Sequence, residues 1–160
     1  MFTDTVESTR RIETLGDAEY RRRAGGLDAR LRAAVRECGG RPEEGITLGD
    51  GIVALFGSAR GALECAVHAH AFARETGFEI RVGLHAGDVS RSVSGIHGGS
   101  VHVSARVCDL AGPNETLVSE TVKALARTSA DVAFIDRGLH ELKGVREPVH
   151  LYAVTAPHVS

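Results

Sequence analysis

Hydrophobic residues follow two different periods along the chain, and the change from one to the other predicts a mixed α+β domain. Apolar positions at helical spacing predict helices that begin near residues 8, 17, 58, 100 and 119. Alternating or short apolar runs predict strands at 1–4, within 45–56, at 78–87, before 119, and at 131–138, 140–144 and 149–154. The first part of this order is that of a ferredoxin-like βαββαβ core, which further α and β elements follow.

The stretch GITLGDGIVALF, residues 45–56, predicts a β-hairpin with a carboxylate at its turn. Asp50-Gly51 between apolar runs is typical of a tight turn, since both turn residues adopt positive φ. Asp4 ends the first predicted strand, and the first and third strands of a ferredoxin-like sheet are neighbours, so the two carboxylates can meet. Facing carboxylates repel unless a cation lies between them, and oxygen ligands suit Mg²⁺ or Mn²⁺. The alternative is two solvated turn aspartates that never meet.

A helix N-terminus is predicted directly after Asp4, in FTDTVESTRR, with Ser8 or Thr9 as its cap. The backbone N–H groups of a helix N-terminus suit phosphate oxygens. A metal-binding carboxylate pair beside such amides is the layout of two-metal phosphoryl transfer. The N-terminal stretch therefore favours the metal hypothesis over the solvated aspartates.

Composition and charge restrict the function further. The 160 residues fit one domain, predicted over 1–155 with a loose tail at 156–160, and 42% hydrophobic residues can fill its core. A net charge of −2 predicts neither a nucleic-acid nor a membrane-surface partner. No apolar run reaches the length of a membrane span and the N-terminus lacks a signal-peptide core, so we expect a cytoplasmic protein. The three cysteines share no metal-type spacing, which predicts buried reduced thiols.

Five stretches occur in an order and at a spacing that resemble a known enzyme family: FTDTVESTR, TLGDGIVALF, RVGLHAGDV, GGSVHVSARV and HELKGVREPVHLYAV. Together they resemble the class III adenylate/guanylate cyclase catalytic domain, in its bacterial branch, over nearly the whole chain. The resemblance implies conversion of ATP or GTP to the 3′,5′-cyclic nucleotide and pyrophosphate, with two Mg²⁺ or Mn²⁺ ions per site. It also implies a head-to-tail homodimer with two composite active sites at its interface.

The resemblance assigns roles to the first half of the site. Asp4 and Asp50 match the two metal-binding aspartates, and Thr5 matches the residue that lends a backbone carbonyl. Ser8 lies in the matching phosphate loop, and Arg81 matches an arginine that contacts phosphate. From the residues alone, Arg81 on the polar face of a predicted strand could equally be a surface arginine.

The second half of the site is implied to come from the partner subunit. Arg106 matches the arginine that stabilises the transition state, and Lys143 matches a lysine that holds the distal phosphates. His102 stands where the family usually has an asparagine, and its ring can still donate a hydrogen bond. Outside the resemblance, Arg106 could be a surface arginine that extends along its helix. Only two of the nineteen basic residues are lysines, and Lys143 is one of them.

Two positions depart from the family in a way that affects substrate choice. Active adenylate cyclases of this class usually recognise the purine with a lysine and an aspartate, and the matching positions here are Ile46 and Gly95. This departure keeps a second hypothesis open, a catalytically weak or inactive cyclase-homology domain that binds nucleotide or dimerises as a signalling module. A related diguanylate cyclase is a third possibility, but the chain has no GGDEF-type signature.

Overall fold

The computed structural model describes residues 1–44 and 51–156 and contains one five-stranded mixed sheet with helices on both faces. The α+β class predicted from the hydrophobic pattern is confirmed. The elements in chain order are β1 (Phe2–Thr5), α1 (Ser8–Leu15), α2 (Asp17–Glu37), β2 (Gly40–Pro42), β3 (Ala54–Phe56), α3 (Ala59–Glu75), β4 (Ile80–Leu84), β5 (Ser90–Ser92), β6 (Gly95–His97), α4 (Gly99–Leu110), β7 (Thr116–Ser119), α5 (Glu120–Ala126), β8 (Ala133–His140) and β9 (Val149–Thr155).

The sheet has the strand order β1-β4-β7-β9-β8, and only the β4–β7 pair is parallel. Two small antiparallel pairs, β2–β3 and β5–β6, lie outside it. None of the helices within 1–44 and 51–156 has both the length and the apolarity needed to cross a membrane.

Strand β1 is held from both sides. All four of its residues pair with β4, and Phe2 also forms a bridge with Val53. The main-chain N–H of Thr3 donates to the carbonyl of Ile52 at 3.0 Å, and the N–H of Ile52 donates back to Thr3 Oγ1 at 3.0 Å. The first strand therefore lies beside the chain that leads into β3, as the hairpin interpretation requires.

The core divides into two layers because alternate residues of a strand face opposite sides of the sheet. In β7, Val118 packs into the larger cluster with residues of α2, α3 and α5, whereas Leu117 packs into a smaller cluster with Val107 of α4. Helix α4 approaches β4 very closely at Gly83, where a Cβ atom would lie 2.3 Å from the main-chain nitrogen of Cys108. Glycine at this position therefore sets how near α4 lies to the sheet.

The prediction of a separate strand at 140–144 was wrong. The segment 140–144 is not a strand of its own: β8 ends at His140, and Gly144 adopts a φ of +81°, which turns the chain before β9. The described strand that pairs with β3 is β2 at Gly40–Pro42, which precedes the predicted hairpin 45–56. The predicted turn residue Asp50 lies outside the described residues.

The Ser- and Gly-rich segment 90–99, predicted as a loop, contains the short hairpin β5–β6. Its side chains are mostly exposed, so no hydrophobic alternation marks the strands. Val67, predicted to face inward from α3, is 52% exposed instead.

Candidate active site

A cleft of about 540 Å³ opens between β1, the end of β6 and helix α4. Its lining includes Asp4 at the end of β1 and two side chains one helical turn apart on α4, His102 and Arg106. Its apolar surface comes from Phe2, Ile96, Val101, Ala105 and Cys108. Three residues that sequence reasoning placed in the site therefore meet at one cleft of the folded chain.

Asp4 is paired with Arg81. The two residues lie directly opposite each other in the β1–β4 register, and Arg81 Nη2 forms an ion pair with Asp4 Oδ2. Arg81 Nη1 also donates to the carbonyl of Asp109 at 3.3 Å. The Arg81 Nε atom is buried and has no hydrogen-bond partner within the described part of the chain. A cationic side chain thus lies against the predicted metal ligand.

The Arg106 side chain is partly engaged by a neighbour on its own helix. Its Nη1 donates to Asp109 Oδ2 at 3.1 Å, and its Nε is buried without a partner among residues 1–44 and 51–156. Asp109 therefore contacts both arginines, Arg81 through its carbonyl and Arg106 through its carboxylate. Sequence reasoning missed Asp109, although a carboxylate three residues after Arg106 on a helix is a recognisable signal.

His102 links α4 to the loop that carries Lys143. His102 Nε2 lies 2.9 Å from the carbonyl oxygen of Lys143, so Nε2 carries the proton and donates. A Cβ atom on Gly144 would lie 2.8 Å from the same Nε2, so glycine permits this approach. The structure brings these two predicted site residues together, while the Lys143 side chain itself is exposed.

The predicted phosphate loop differs from expectation at its cap. Glu7, in the left-handed conformation with a φ of 53°, is the N-cap of α1, and no side chain caps the helix. Ser8 is therefore the first helical residue and not the cap. Thr5 is buried and pairs with Ile80 at the end of β1.

Of the two predicted purine positions, the structure describes only Gly95, which does not line the cleft. Gly95 begins β6 with a φ of +115° and borders a separate groove with Arg41 and Arg91. Its neighbour Ile96 does line the cleft. The other position, Ile46, and the second predicted metal ligand, Asp50, lie outside the described residues.

The buried thiols offer no nucleophile to the cleft. Burial raises the pKa of Cys108, which lines the cleft, to about 12, and it raises the pKa of Cys65 to the same value. Both thiols therefore stay protonated near neutral pH. Cys38 is only partly buried, in contrast to the prediction for all three.

Among the described residues, no group of three histidine, cysteine, aspartate or glutamate side chains is arranged to hold a metal ion. The described lining of the cleft contains two carboxylates, Asp4 and Asp109, whose oxygens are of the hard type that Mg²⁺ and Mn²⁺ prefer. A divalent ion at Asp4 would need further ligands beyond those that the described residues bring together.

Comparison with known proteins decides the family. The adenylate and guanylate cyclase catalytic domain is matched over residues 45–156. The chain belongs to this family. The similarity agrees with the resemblance read from the five sequence stretches.

Relatives of this cyclase domain are longer proteins. The putative adenylate cyclase 3 of Rhizobium meliloti (strain 1021) is 35% identical over 112 residues, which cover 65% of this chain and 19% of that protein. An uncharacterized protein of Mycobacterium tuberculosis (strain ATCC 25618 / H37Rv) is 28% identical over 135 residues, or 83% of this chain and 47% of the relative. The chain thus spans less than half the length of either curated relative.

Solved cyclase structures share the fold of the domain. The adenylyl cyclase CyaB from P. aeruginosa superposes with a TM-score of 0.85 at 17% identity, covering 99% of this chain and 93% of that one. The adenylate/guanylate cyclase/hydrolase from Silicibacter pomeroyi gives 0.80 at 25% identity, with 98% and 94% covered. The guanylate cyclase domain of RhGC from Catenaria anguillulae, in complex with GTP, gives 0.80 at 18% identity, with 98% and 94% covered. The predicted class III cyclase-like fold is confirmed.

Proposed function

We propose that this domain is a nucleotidyl cyclase that joins the ribose 3′-oxygen of ATP, or of GTP, to the α-phosphorus and releases pyrophosphate. The observation that carries the proposal is a cleft lined by Asp4, His102 and Arg106, with Arg81 ion-paired to Asp4. In the proposed homodimer each nucleotide would meet Asp4 and Arg81 of one subunit and Arg106 of the other, which together supply a carboxylate for a divalent ion and two guanidinium groups for phosphate. A triphosphate needs both, because its charge must be neutralised before an oxygen nucleophile can approach.

The metal ligands of the proposal are Asp4, Asp50 and the backbone carbonyl of Thr5. Support for the pairing of Asp4 with Asp50 comes from Gly51, which directly follows Asp50 in the chain. A Cβ atom on Gly51 would lie 1.7 Å from the carbonyl oxygen of Thr3 and 3.2 Å from the Cα of Asp4. When bound, two Mg²⁺ or Mn²⁺ ions supply a more acidic attacking hydroxyl and a charge-neutralised triphosphate.

The chain's own side chains bind and orient the nucleotide. Arg106 stabilises the negative charge that develops on the phosphate in the transition state, and Arg81 and Lys143 contact the phosphates. The first N–H groups of α1, at Ser8, carry no side-chain cap and suit a phosphate oxygen. His102, whose Nε2 is engaged by the Lys143 carbonyl, retains Nδ1 to accept a hydrogen bond from the ribose.

The proposal includes a head-to-tail homodimer in which Arg106 and Lys143 act on a nucleotide held by the aspartates of the other subunit. The family likeness supports this arrangement, and so do the exposed side chain of Lys143 and the partly exposed side chain of Arg106. The alternative function, a nucleotide-binding or dimerising module with little activity, is favoured by one observation. Gly95 supplies no side chain to recognise a purine, and Ile46 has no polar group.

Product analysis tests the proposal directly. Purified protein with Mn²⁺ and either ATP or GTP is expected to yield the cyclic nucleotide and pyrophosphate in equal amounts. Binding of Mn²⁺ and nucleotide with no product would support the dimerising module instead. Formation of a dinucleotide from GTP would identify the diguanylate cyclase chemistry.

Metal and nucleotide together should stabilise the domain, because a ligand that binds only the native state raises its apparent stability. We expect Mn²⁺-ATP to raise the Tm of the parent and to raise it much less in Asp50→Ala. Differential scanning fluorimetry with Mn²⁺ alone, ATP alone and both provides the controls. Equal shifts in both proteins would remove Asp50 from the site.

The absence of the lysine and aspartate that usually recognise the purine predicts weak discrimination between ATP and GTP. A site built to hydrogen-bond a base rejects the wrong base strongly, since its own polar groups would be left unpaired. Ile46 and Gly95 present no such groups, so we expect a preference below ~100-fold, or ~2.7 kcal/mol, in competition assays. A larger preference would show that another residue of the chain recognises the purine.

Restoring the family pair tests the same positions. Ile46→Lys with Gly95→Asp is expected to raise the use of ATP over GTP. The φ of +115° at Gly95 strains any other residue there, at a cost of about 1–3 kcal/mol, so the double variant should also melt at a lower temperature. The single variant Ile46→Lys separates the two effects. No gain in selectivity in a folded double variant would exclude these positions from the purine pocket.

A further inference from the structure

Arg106 and His102 define the direction in which a bound nucleotide would run along α4. They lie four residues apart on this helix, about 6 Å along its axis at ~1.5 Å per residue. In the proposed function Arg106 acts on the phosphate of a nucleotide and His102 contacts the ribose of the same nucleotide. The base of that nucleotide then continues toward the N-terminal end of α4, which follows directly after β6.

Strand β6 supplies two neighbouring residues to that end of the cleft. Ile96 is 6% exposed and His97 is exposed, and both line the cleft. A site for a small ligand combines apolar surface with a few polar groups that fix its orientation. Ile96 offers apolar surface to the face of a purine ring, and His97 adds a polar side chain directly beside it in the chain.

The imidazole of His97 is held by two serines of the β5–β6 hairpin. Its Nε2 lies 3.0 Å from Ser92 Oγ and 2.9 Å from Ser94 Oγ, and the two hydroxyl oxygens lie 2.8 Å apart. The main-chain N–H of Ser94 donates to Ser92 Oγ at 3.2 Å, and Ser90 Oγ donates to the His97 carbonyl at 3.3 Å. An exposed side chain is ordinarily free to change rotamer, so these contacts lower the entropy that a ligand must offset on binding.

The serine contacts engage one ring nitrogen of His97 and leave the other for a ligand. Its Nδ1 has no hydrogen-bond partner among residues 1–44 and 51–156. Because a serine hydroxyl both donates and accepts, Nε2 can either carry the proton and donate to a hydroxyl, or accept from one. Nδ1 is correspondingly an acceptor in the first tautomer and a donor in the second.

We infer that His97 contacts the exocyclic group at C6 of the purine, as an acceptor for the amino group of adenine and as a donor to the oxygen of guanine. The inference rests on the proposed function, and the nucleotide concerned is the one on which Arg106 of the same subunit acts. A change of tautomer lets one residue serve both bases, so His97 strengthens the binding of ATP and of GTP. This adaptability agrees with the weak discrimination between the two nucleotides that the proposed function includes.

Nucleotides that differ only at the base test the contact. Calorimetry with Mn²⁺ measures binding of the non-cyclisable α,β-methylene triphosphates of adenosine, guanosine and purine riboside, the last of which carries only hydrogen at C6. His97→Ala is expected to weaken binding of the first two by about 3- to 10-fold, the effect of one neutral hydrogen bond, and to leave the third unchanged. The matched control is His68→Ala, an exposed histidine of α3 that does not line the cleft. This control should bind all three analogues as the parent does.

The double variant Ser92→Ala with Ser94→Ala keeps His97 but frees its ring, so it should lose part of the affinity that His97→Ala loses, and for the same two analogues. The Tm of each variant shows that it is folded. If folded His97→Ala binds every analogue as tightly as the parent, the inference is overturned and the proposed function stands. An equal loss for the purine riboside analogue also overturns it, because His97 then acts away from C6. A parent that binds none of the three overturns the proposed function as well.

Discussion

Arg106→Ala is expected to lower kcat by about 10²–10³-fold while the Tm changes little, because a group that stabilises developing charge acts mainly in the transition state. Arg106 is partly exposed and its ion pair with Asp109 is of the i, i+3 type on one helix, so its removal costs little stability. The matched control is Arg60→Ala on α3, which removes an exposed i, i+4 pair with Glu64. Steady-state kinetics with Mn²⁺-ATP measure the effect. Equal activity in the two variants would remove Arg106 from catalysis.

The same variant tests whether the sites are shared between subunits. Mixed with inactive Asp50→Ala, it should recover about a quarter of the parent's activity, because half of the randomly formed dimers are mixed and each mixed dimer contains one intact site. Subunit exchange is confirmed with differently tagged chains. If exchange occurs without recovery, then Asp50 and Arg106 act from the same chain.

Arg81→Gln is expected to change metal binding and nucleotide binding in opposite directions. In the structure Arg81 pairs with Asp4, so it competes with a divalent ion for that carboxylate. Its removal should tighten Mn²⁺ binding without nucleotide. It should also raise the KM for Mn²⁺-ATP by about 10- to 100-fold through the loss of a charged hydrogen bond to phosphate.

Electron paramagnetic resonance of Mn²⁺ measures the first change and initial rates measure the second. Arg137→Gln serves as the control, since Arg137 of β8 pairs with Glu115, whose carboxylate lies away from the cleft. Weaker Mn²⁺ binding in Arg81→Gln would show that the arginine supports the metal site rather than competing with it. An unchanged KM would exclude its contact with phosphate.

The local hydrophobic pattern was enough to predict the helices and strands whose apolar residues recur regularly. The alternation in FEIRVGLHAG predicted β4, and apolar residues such as Leu63 and Ala66, with Ser58 as the cap, predicted α3. A strand was wrongly predicted at 140–144 because the apparent alternation there comes from one buried residue, Leu142. This residue packs into the same cluster as Leu151. In β5–β6, strands of three mostly exposed residues carry no hydrophobic signal at all.

The candidate site was predictable as a set of residues but not as a set of contacts. The five family-like stretches pointed to Asp4, Arg81 and Arg106. The pairing of Asp4 with Arg81 depends on the β1–β4 register between segments far apart in the chain, which no local pattern encodes. The role of Asp109 depends on the approach of α4 to β4, and that approach is likewise a property of the packed fold.

The close approach at Gly83 has a consequence for motion. Helix α4 is fastened to β4 by the Ser104 Oγ hydrogen bond to the Gly83 carbonyl at 3.3 Å and by the Cys108 Sγ contact with the Arg81 carbonyl at 3.6 Å, with no gap between them. Packed cores of this kind do not deform gradually, so helix and sheet move as one rigid body. The main-chain segments that carry Arg81 and Arg106 then keep a constant separation. For the proposed cyclase reaction, admission of a nucleotide and release of pyrophosphate would require movement elsewhere, in the segments that border the cleft or between two copies of the domain.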